Sequence, residues 1–404
     1  MQKSPDARAV APRASLDAVL GFAWDADIFV SDDAMAATGL TRTTTIDALD
    51  ELIETGLLRE LPNARATGAY RKGRPARRFE LCADSAVVIG MDAGRAHLTT
   101  TVADLRGVAL ATESVELDVT HDSPAERRAV ILAAIDSALL AASCERADLL
   151  AICVGVPAPV DAHGRSPEHR DDFWRRMNPD LPGLLDGWAP IVRVENDASL
   201  AAVAEGSVGS AADSSDYVVL LAGERFGAGV VIDGRLLRGA HGGVGETVAF
   251  DHIEGVGTTD GLGTRLTEWV REATVPEGHP LSGVPLERLT GRAVMELSRQ
   301  GDAWSRGFVE RAGLLVARIA AVFGSLYNPQ RIIVAGAIVD GLDEVIEVAR
   351  MRLPHELDLP APELLLSSLG SRSVATGAVA AAIEAARRGV LHLPRVIRGR
   401  RLSS

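Results

Sequence analysis

The 404-residue chain is short of the features that define several protein classes. Its three cysteines, Cys82, Cys144 and Cys153, are scattered and form no CxxC pair. That excludes a disulfide framework and a cysteine zinc site, and leaves structural thiols. Nowhere do roughly 18 apolar residues run together, so no membrane span and no membrane partner is expected. The opening stretch MQKSPDARAVAPRAS lacks the apolar core of a secretion signal. Residues 1–14 therefore read as a disordered lead-in, and the chain as cytoplasmic. Nor is there an excess of positive charge: 42 Lys and Arg stand against 55 Asp and Glu, a net charge of −13. Taken alone, that balance argues against nucleic acid.

What is present begins with an ordinary globular composition, 47% hydrophobic and 24% charged, on a chain with room for two or three domains. Charge distribution qualifies the sum. Between Arg59 and Arg78 lie seven basic residues (Arg59, Arg65, Arg71, Lys72, Arg74, Arg77 and Arg78) and one acid, Glu60. A charge run is commonly a solvated linker. This one follows three short helical patterns and sits in a hairpin. Leu16, Val19, Leu20 and Ala23 mark one apolar stripe of a first helix. Asp32 or Asp33 can cap a second, which ends at Gly39. Thr41 caps a third, with Ile46, Leu49 and Ile53 turned inward and Arg42, Thr43, Thr44 and Thr45 in its first turn. Strands at Leu57–Glu60 and Gly73–Leu81 then flank the basic loop. Residues 15–82 are thus expected to be a winged helix-turn-helix. Thr41 to Thr45 would enter the major groove of double-stranded DNA, and Arg71, Lys72, Arg74, Arg77 and Arg78 would grip phosphates from the wing.

From Ala86 onward strands alternate with helices, an α/β pattern. A helix opens on the capping box Ser123-Pro-Ala-Glu126, and further strands are expected at 150–156, 191–194, 217–221 and 331–335. A long amphipathic helix runs through Leu315 and Phe323 to Tyr327, and an alanine-rich one covers 374–386. Two strand–glycine–strand hairpins echo each other, at 86–94 and 217–229. A helix does not follow either glycine turn, which sets them apart from Rossmann and Walker loops. An Asn196–Asp197 pair falls at a strand-to-helix junction, where its residue types alone suit an N-cap first and a hydroxyl-binding group facing a cleft second.

The ordered stretches Met91-Asp-Ala-Gly94, Gly155-Val-Pro-Ala-Pro-Val-Asp161, Glu195-Asn-Asp-Ala198, Gly227-Ala-Gly229, Asp233-Gly-Arg235 and Arg238-Gly-Ala-His-Gly-Gly-Val-Gly-Glu246 resemble the ROK family of repressors, open reading frames and sugar kinases. The resemblance covers about residues 15–390. It implies an actin-like ATPase (ribonuclease H-like, sugar-kinase) body in two lobes. The first would be 86–200, completed by 374–390, and the second 201–373, with a basic tail at 391–404. It also implies sugar binding through Asn196, Asp197 and Glu246, with Asp197 a vestigial general base.

The family's kinases read Asp-x-Gly-Gly-Thr-Lys at the first phosphate turn; here stand Asp92, Gly94, Ala96 and His97. Their second turn, Gly-Thr-Gly-x-Gly, becomes Gly223-Glu224-Arg225-Phe226-Gly227, with Gly229 and Gly336 completing the implied set. A carboxylate at Glu224 facing a γ-phosphate repels it by about 4 kcal/mol at an effective dielectric of 20. Phosphoryl transfer is therefore not expected, and neither is a cofactor. The zinc pattern of many relatives, Gly-Glu-x-Gly-His before a cysteine run, becomes Gly245-Glu246-Thr247-Val248-Ala249 with no cysteine after it. No metal is expected. These readings point to a sugar-sensing DNA-binding regulator, a repressor of carbohydrate-utilisation genes. It would be a homodimer or homotetramer on a palindromic operator. The alternative is a sugar kinase carrying a DNA-binding domain.

Overall fold

The computed structural model describes residues 13–62, 76–119, 123–168 and 172–393. The expected wing tip, with Arg71, Lys72 and Arg74, lies outside the described residues, as do the lead-in to residue 12 and the tail from 394.

The N-terminal part runs α1 (Arg13–Asp25), β1 (Phe29–Val30), α2 (Ser31–Thr38), α3 (Arg42–Glu54), β2 (Leu58–Leu61) and β3 (Arg78–Leu81). The stripe Leu16, Val19, Leu20 and Ala23 is buried, together with Trp24. α2 starts one residue before Asp32. Asp33 does not cap it; its carboxylate accepts from the Val30 N–H at 2.9 Å, and Gly39 at φ 70° closes the helix. α3 buries Thr45, Ala48, Leu49 and Leu52, with Ile46 and Ile53 only half-buried on the flanks. The three strands pair antiparallel in the order β1-β3-β2. The sequence pattern showed only the hairpin; the two-residue β1 exists because Phe29 pairs with Phe79, whose ring is fully buried.

The body begins with β4 (Val87–Ala93), β5 (His97–Asp104), β6 (Ala109–Glu116), α4 (Pro124–Ala141), β7 (Leu149–Val156), α5 (Phe173–Met177), α6 (Leu181–Leu185), β8 (Ile191–Asn196) and α7 (Asp197–Val208). It continues through β9 (Tyr217–Ala222), β10 (Phe226–Ile232), β11 (Arg235–Leu236), α8 (Leu262–Glu272), α9 (Gly291–Arg299), α10 (Ala303–Tyr327), β12 (Arg331–Ala335), α11 (Asp343–Glu356), β13 (Glu363–Leu366) and α12 (Ser373–Gly389). Two five-stranded sheets result, β6-β5-β4-β7-β8 and β11-β10-β9-β12-β13. Each opens with an antiparallel meander of three strands and adds two parallel ones beside its first strand. The hairpins that echo each other in sequence are thus the same part of one repeated sheet.

Alternation along the strands sorts the side chains into layers. Ile89, Met91 and Ile152 of the first sheet pack under Ile131 and Ile135 of α4. Val218, Leu220 and Ile332 of the second pack under α10 and α11. The opposite faces, with Val88 and Cys153 on one sheet and Val219 and Ile333 on the other, share a core with α7 and α12. These two helices touch so closely that a Cβ on Gly377 would lie 1.8 Å from the Leu200 carbonyl oxygen. The expected thiols differ among themselves: Cys153 is buried, and burial pushes its thiol up, while Cys82 and Cys144 are half-buried. Among the described residues no helix is long and apolar enough to cross a membrane.

α12 also holds the N-terminal part. Arg387 donates to the Gly21 carbonyl and to Asp25, both at 2.8 Å. Trp24 Nε1 donates to the Leu105 carbonyl at 3.1 Å, and Arg106 returns a bond to the Trp24 carbonyl.

Candidate functional site

Two surfaces carry the residues singled out in the sequence. On the first, Thr41 caps α3, its hydroxyl accepting from the Thr44 N–H at 3.4 Å, and Arg42 and Thr43 are exposed. Thr44 is half-buried and shares a hydroxyl contact with Thr41 at 2.9 Å. Thr45 overturns its expected role. It is fully buried, and its hydroxyl donates to the Thr41 carbonyl at 3.0 Å. A threonine satisfied by its own helix can join the core, and it cannot reach a groove. Arg77 is also used otherwise than expected: its guanidinium binds Asp50 of α3 at 2.8 Å and Glu60 of β2 at 2.9 Å, and stacks over Phe79. It braces the base of the wing against α3 instead of standing free for phosphate. Arg59 is paired with Glu80, and Arg78 is half-buried on β3.

The second surface is a cleft of about 800 Å³ lined from both sheets. Asn196, Asp197 and Glu246 line it together with Asp92, Gly94, Gly223, Gly227 and Gly336. Gly229 is the exception. It stands inside β10, where a Cβ would lie 2.2 Å from the Ala198 carbonyl oxygen, so its absent side chain serves packing against α7 and not a phosphate. Asn196 fills both readings of its position. Its Oδ1 caps α7 by accepting from the Ser199 N–H at 2.9 Å, its amide donates to the Ala158 carbonyl at 3.2 Å, and it still borders the cleft.

The cleft is acidic. Loss of hydration, the neighbouring Asp92 charge and then Glu246 push the Asp197 carboxyl up to about 8, against the pull of the Ala198 N–H. His97 donates from Nε2 to Asp92 at 3.1 Å, which raises its pKa above the ordinary histidine value. Glu224 sits across from Arg95 at 4.0 Å, so the two glycine turns face each other through an ion pair. Arg225, which could have offset Glu224, donates instead to the Thr259 hydroxyl at 2.8 Å.

Two supports escaped sequence reasoning. Arg238 grips Glu195 through two bonds of 3.1 Å, joining two of the quoted stretches across the halves. Arg127, 5% exposed, donates to the carbonyls of Ala93, Gly94 and Met177 and so fixes the first glycine turn. A lone basic residue in an apolar helix face is the only signal for it.

The zinc pattern of many relatives does not fit these residues. Ala249 has no donor, His252 is exposed, and Asp260 is bonded to the Thr258 hydroxyl. Among the described residues no group of three His, Cys, Asp or Glu side chains could hold a metal.

Comparison with known proteins agrees with the architecture. Over 308 residues the chain is 26% identical to the DNA-binding transcriptional dual regulator NagC of Escherichia coli (strain K12), covering 73% of each. The crystal structure of a ROK family transcriptional regulator, a homologue of the E. coli MLC protein, superposes with a TM-score of 0.72 at 20% identity, over 93% of this chain and 97% of that one. A ROK family glucokinase from Streptomyces griseus, in complex with glucose and AMPPNP, superposes with a TM-score of 0.62 at 24% identity, over 74% of this chain and all of that one. These likenesses establish the fold. Residues 88–385 match the ROK family, and the chain belongs to it.

Proposed function

We propose that the chain is a DNA-binding transcriptional regulator, a repressor of carbohydrate-utilisation genes whose cleft senses a sugar or sugar derivative. One observation carries the reading: α12 spans from the cleft, where Ser373 and Val374 line it, to α1, which Arg387 clamps. A ligand that favours one closure of the cleft thereby biases the placement of the DNA-binding part. The family relative NagC is itself named a DNA-binding regulator, which supports the same reading.

In this account Arg42, Thr43 and Thr44 with the Thr41 cap meet the major groove. Arg71, Lys72, Arg74 and Arg78 serve the wing, and Asn196, Asp197 and Glu246 bind sugar hydroxyls. The cytoplasmic protein acts as a homodimer or homotetramer, and a two-fold pair reads a palindrome with half-sites about 34–36 Å apart or a multiple of that. Domain limits follow the sequence reading, 15–82 for DNA and 86–390 for the sensor. The body is kinase-derived and does not transfer phosphate, because His97 occupies Asp92 and Glu224 faces the turn.

Fluorescence anisotropy with DNA from the chain's own upstream region tests this. Affinity is expected to fall steeply with salt and to drop about 10- to 100-fold in Arg42→Ala. One member of a sugar panel should release the wild type but not Asp197→Asn. Salt-insensitive binding defeats the wing assignment. The rival kinase reading is favoured by the retained Asp92 and Asp197. It wins if ATP and a hexose give turnover that Asp197→Asn abolishes.

A further inference from the structure

The loop between Glu246 and Gly261 is where zinc would be held in relatives that keep the ligands, and here it has none of them. Something else must order it, because the loop carries Glu246, Thr247 and Thr259 to the cleft. Three of its carbonyls turn toward one point. Arg265, in the first turns of α8, donates from Nε to Asp260 at 2.7 Å, from Nη1 to Val256 at 2.6 Å and from Nη2 to Thr258. These are alternate residues, so the loop is wrapped around a single planar cation. The side chain is nearly buried, with 8% exposure for the residue, and its guanidinium faces the Phe226 ring at 5.8 Å. Among the described residues no carboxylate forms an ion pair with it; carbonyl dipoles meet the charge, with the Asp260 and Glu268 carboxylates acting only from a distance. A desolvated cation is tolerated only where its donors are satisfied, so the two structures require each other.

We propose that Arg265 is the loop's resident cation, a positioning residue whose guanidinium replaces structural zinc and holds the Glu246 side of the cleft in place without metal. The loop is then tied to the second glycine turn: Phe226 donates to the Thr259 carbonyl and Gly261 to the Glu224 carbonyl, both at 2.8 Å. Phe250 seats it against Phe226 and Phe323. Burial lowers the Arg265 pKa, the direction expected for a charge kept from water. The assignment concerns the order of the loop and holds whether or not the cleft takes a sugar.

Hydrogen exchange on the full-length protein tests it. In Arg265→Ala, amides of residues 247–261 should exchange about tenfold faster or more, while α4 and the N-terminal helices keep their rates. Guanidinium, at concentrations well below those that unfold the chain, should refill the void and restore protection. Urea, the neutral molecule of the same shape, should not. Arg265→Lys should fail as well, since one ammonium cannot span three carbonyls. A zinc chelator should leave wild-type exchange and melting unchanged. Stoichiometric zinc in the purified protein, faster wild-type exchange after chelation, or equal rescue by urea overturns the proposal. Should Arg265→Ala not fold, the chelator measurement and Arg265→Lys decide: protection retained in Arg265→Lys overturns it too.

Discussion

The two halves of the body repeat one strand order, and each pins a cleft-facing segment with a buried arginine. Arg127 of α4 binds the carbonyls of Ala93, Gly94 and Met177; Arg265 of α8 binds those of Val256, Thr258 and Asp260. They differ in what surrounds the segment. The turn at Gly94 leaves a seven-residue strand paired on both sides, by β5 and by β7. The loop held by Arg265 contains only a short 3-10 turn, Val248–His252, and two isolated bridges. One arginine completes a segment the sheet already orders, whereas the other makes the order. Topology here comes from apolar strands and close helix contacts. The chemistry comes from single side chains at the turns, so those side chains can vary while the strands and helix contacts keep the shape.

The largest expected effect lies where the halves are joined. Gly377→Ala would drive a Cβ into the Leu200 backbone carbonyl at 1.8 Å, with no flexible side-chain end to yield. The cost should be about 3 kcal/mol or more, at or beyond the upper end of what overpacking usually costs. Gly223→Ala, at a turn with open space around it, should cost under about 1 kcal/mol. Urea unfolding measures both, and similar costs would mean that α7 and α12 are not the rigid joint described.

Next in size is the comparison of the arginines. Arg127→Ala leaves three buried carbonyls without their donor inside the first core, and should lower global stability by about 2–4 kcal/mol. Arg265→Ala should cost less globally, about 1–2 kcal/mol, because its loop can open to water while the second sheet stays folded. Equal losses in urea unfolding would erase the distinction between a completed segment and a created one.

Much of this fold was legible because its signals are local. The Ser123–Glu126 capping box, the strand at 331–335 and the helix expected at 374–386, which runs 373–389, follow from short patterns that tertiary contacts did not override. What failed depended on which face of an element the rest of the molecule covers. Thr45 looked like a groove contact and is core, since its hydroxyl is satisfied four residues back. Gly229 looked like a phosphate turn and is a packing site for α7. β1 is too short for any periodicity and is made by Phe79, 50 residues on. Neither Arg127 nor Arg265 stands in a pattern that names its carbonyls. In the candidate site, the residues were readable as a set from the family resemblance. The Arg95–Glu224 pair required the two turns to be brought together, whereas His97–Asp92 closes within the first turn.

The smallest effect is a pH dependence that belongs to one half more than the other. Asp197 has a carboxyl raised to about 8 in the folded chain against an ordinary value of 3.8. The folded state therefore holds this proton across a window in which the unfolded chain has released it. Its contribution to stability is complete below about pH 4 and is lost as pH rises toward 8. His97, raised by its bond to Asp92, adds a loss of the same sign, present below the ordinary value of 6.5 and removed as pH climbs through the folded one. Asp302, by contrast, is held down to about 2 by Ser305 and His279, so its contribution is already complete at neutral pH and vanishes only in acid. Wild-type melting should therefore fall between about pH 4 and pH 8, and Asp197→Asn should flatten that fall by a few degrees. Asp302→Asn should leave the slope in this window unchanged. If Asp197→Asn melts with the full wild-type slope, the carboxylate is ionised at neutral pH, and Asp92, Asp197 and Glu246 do not share the crowded, dehydrated cleft described between the halves.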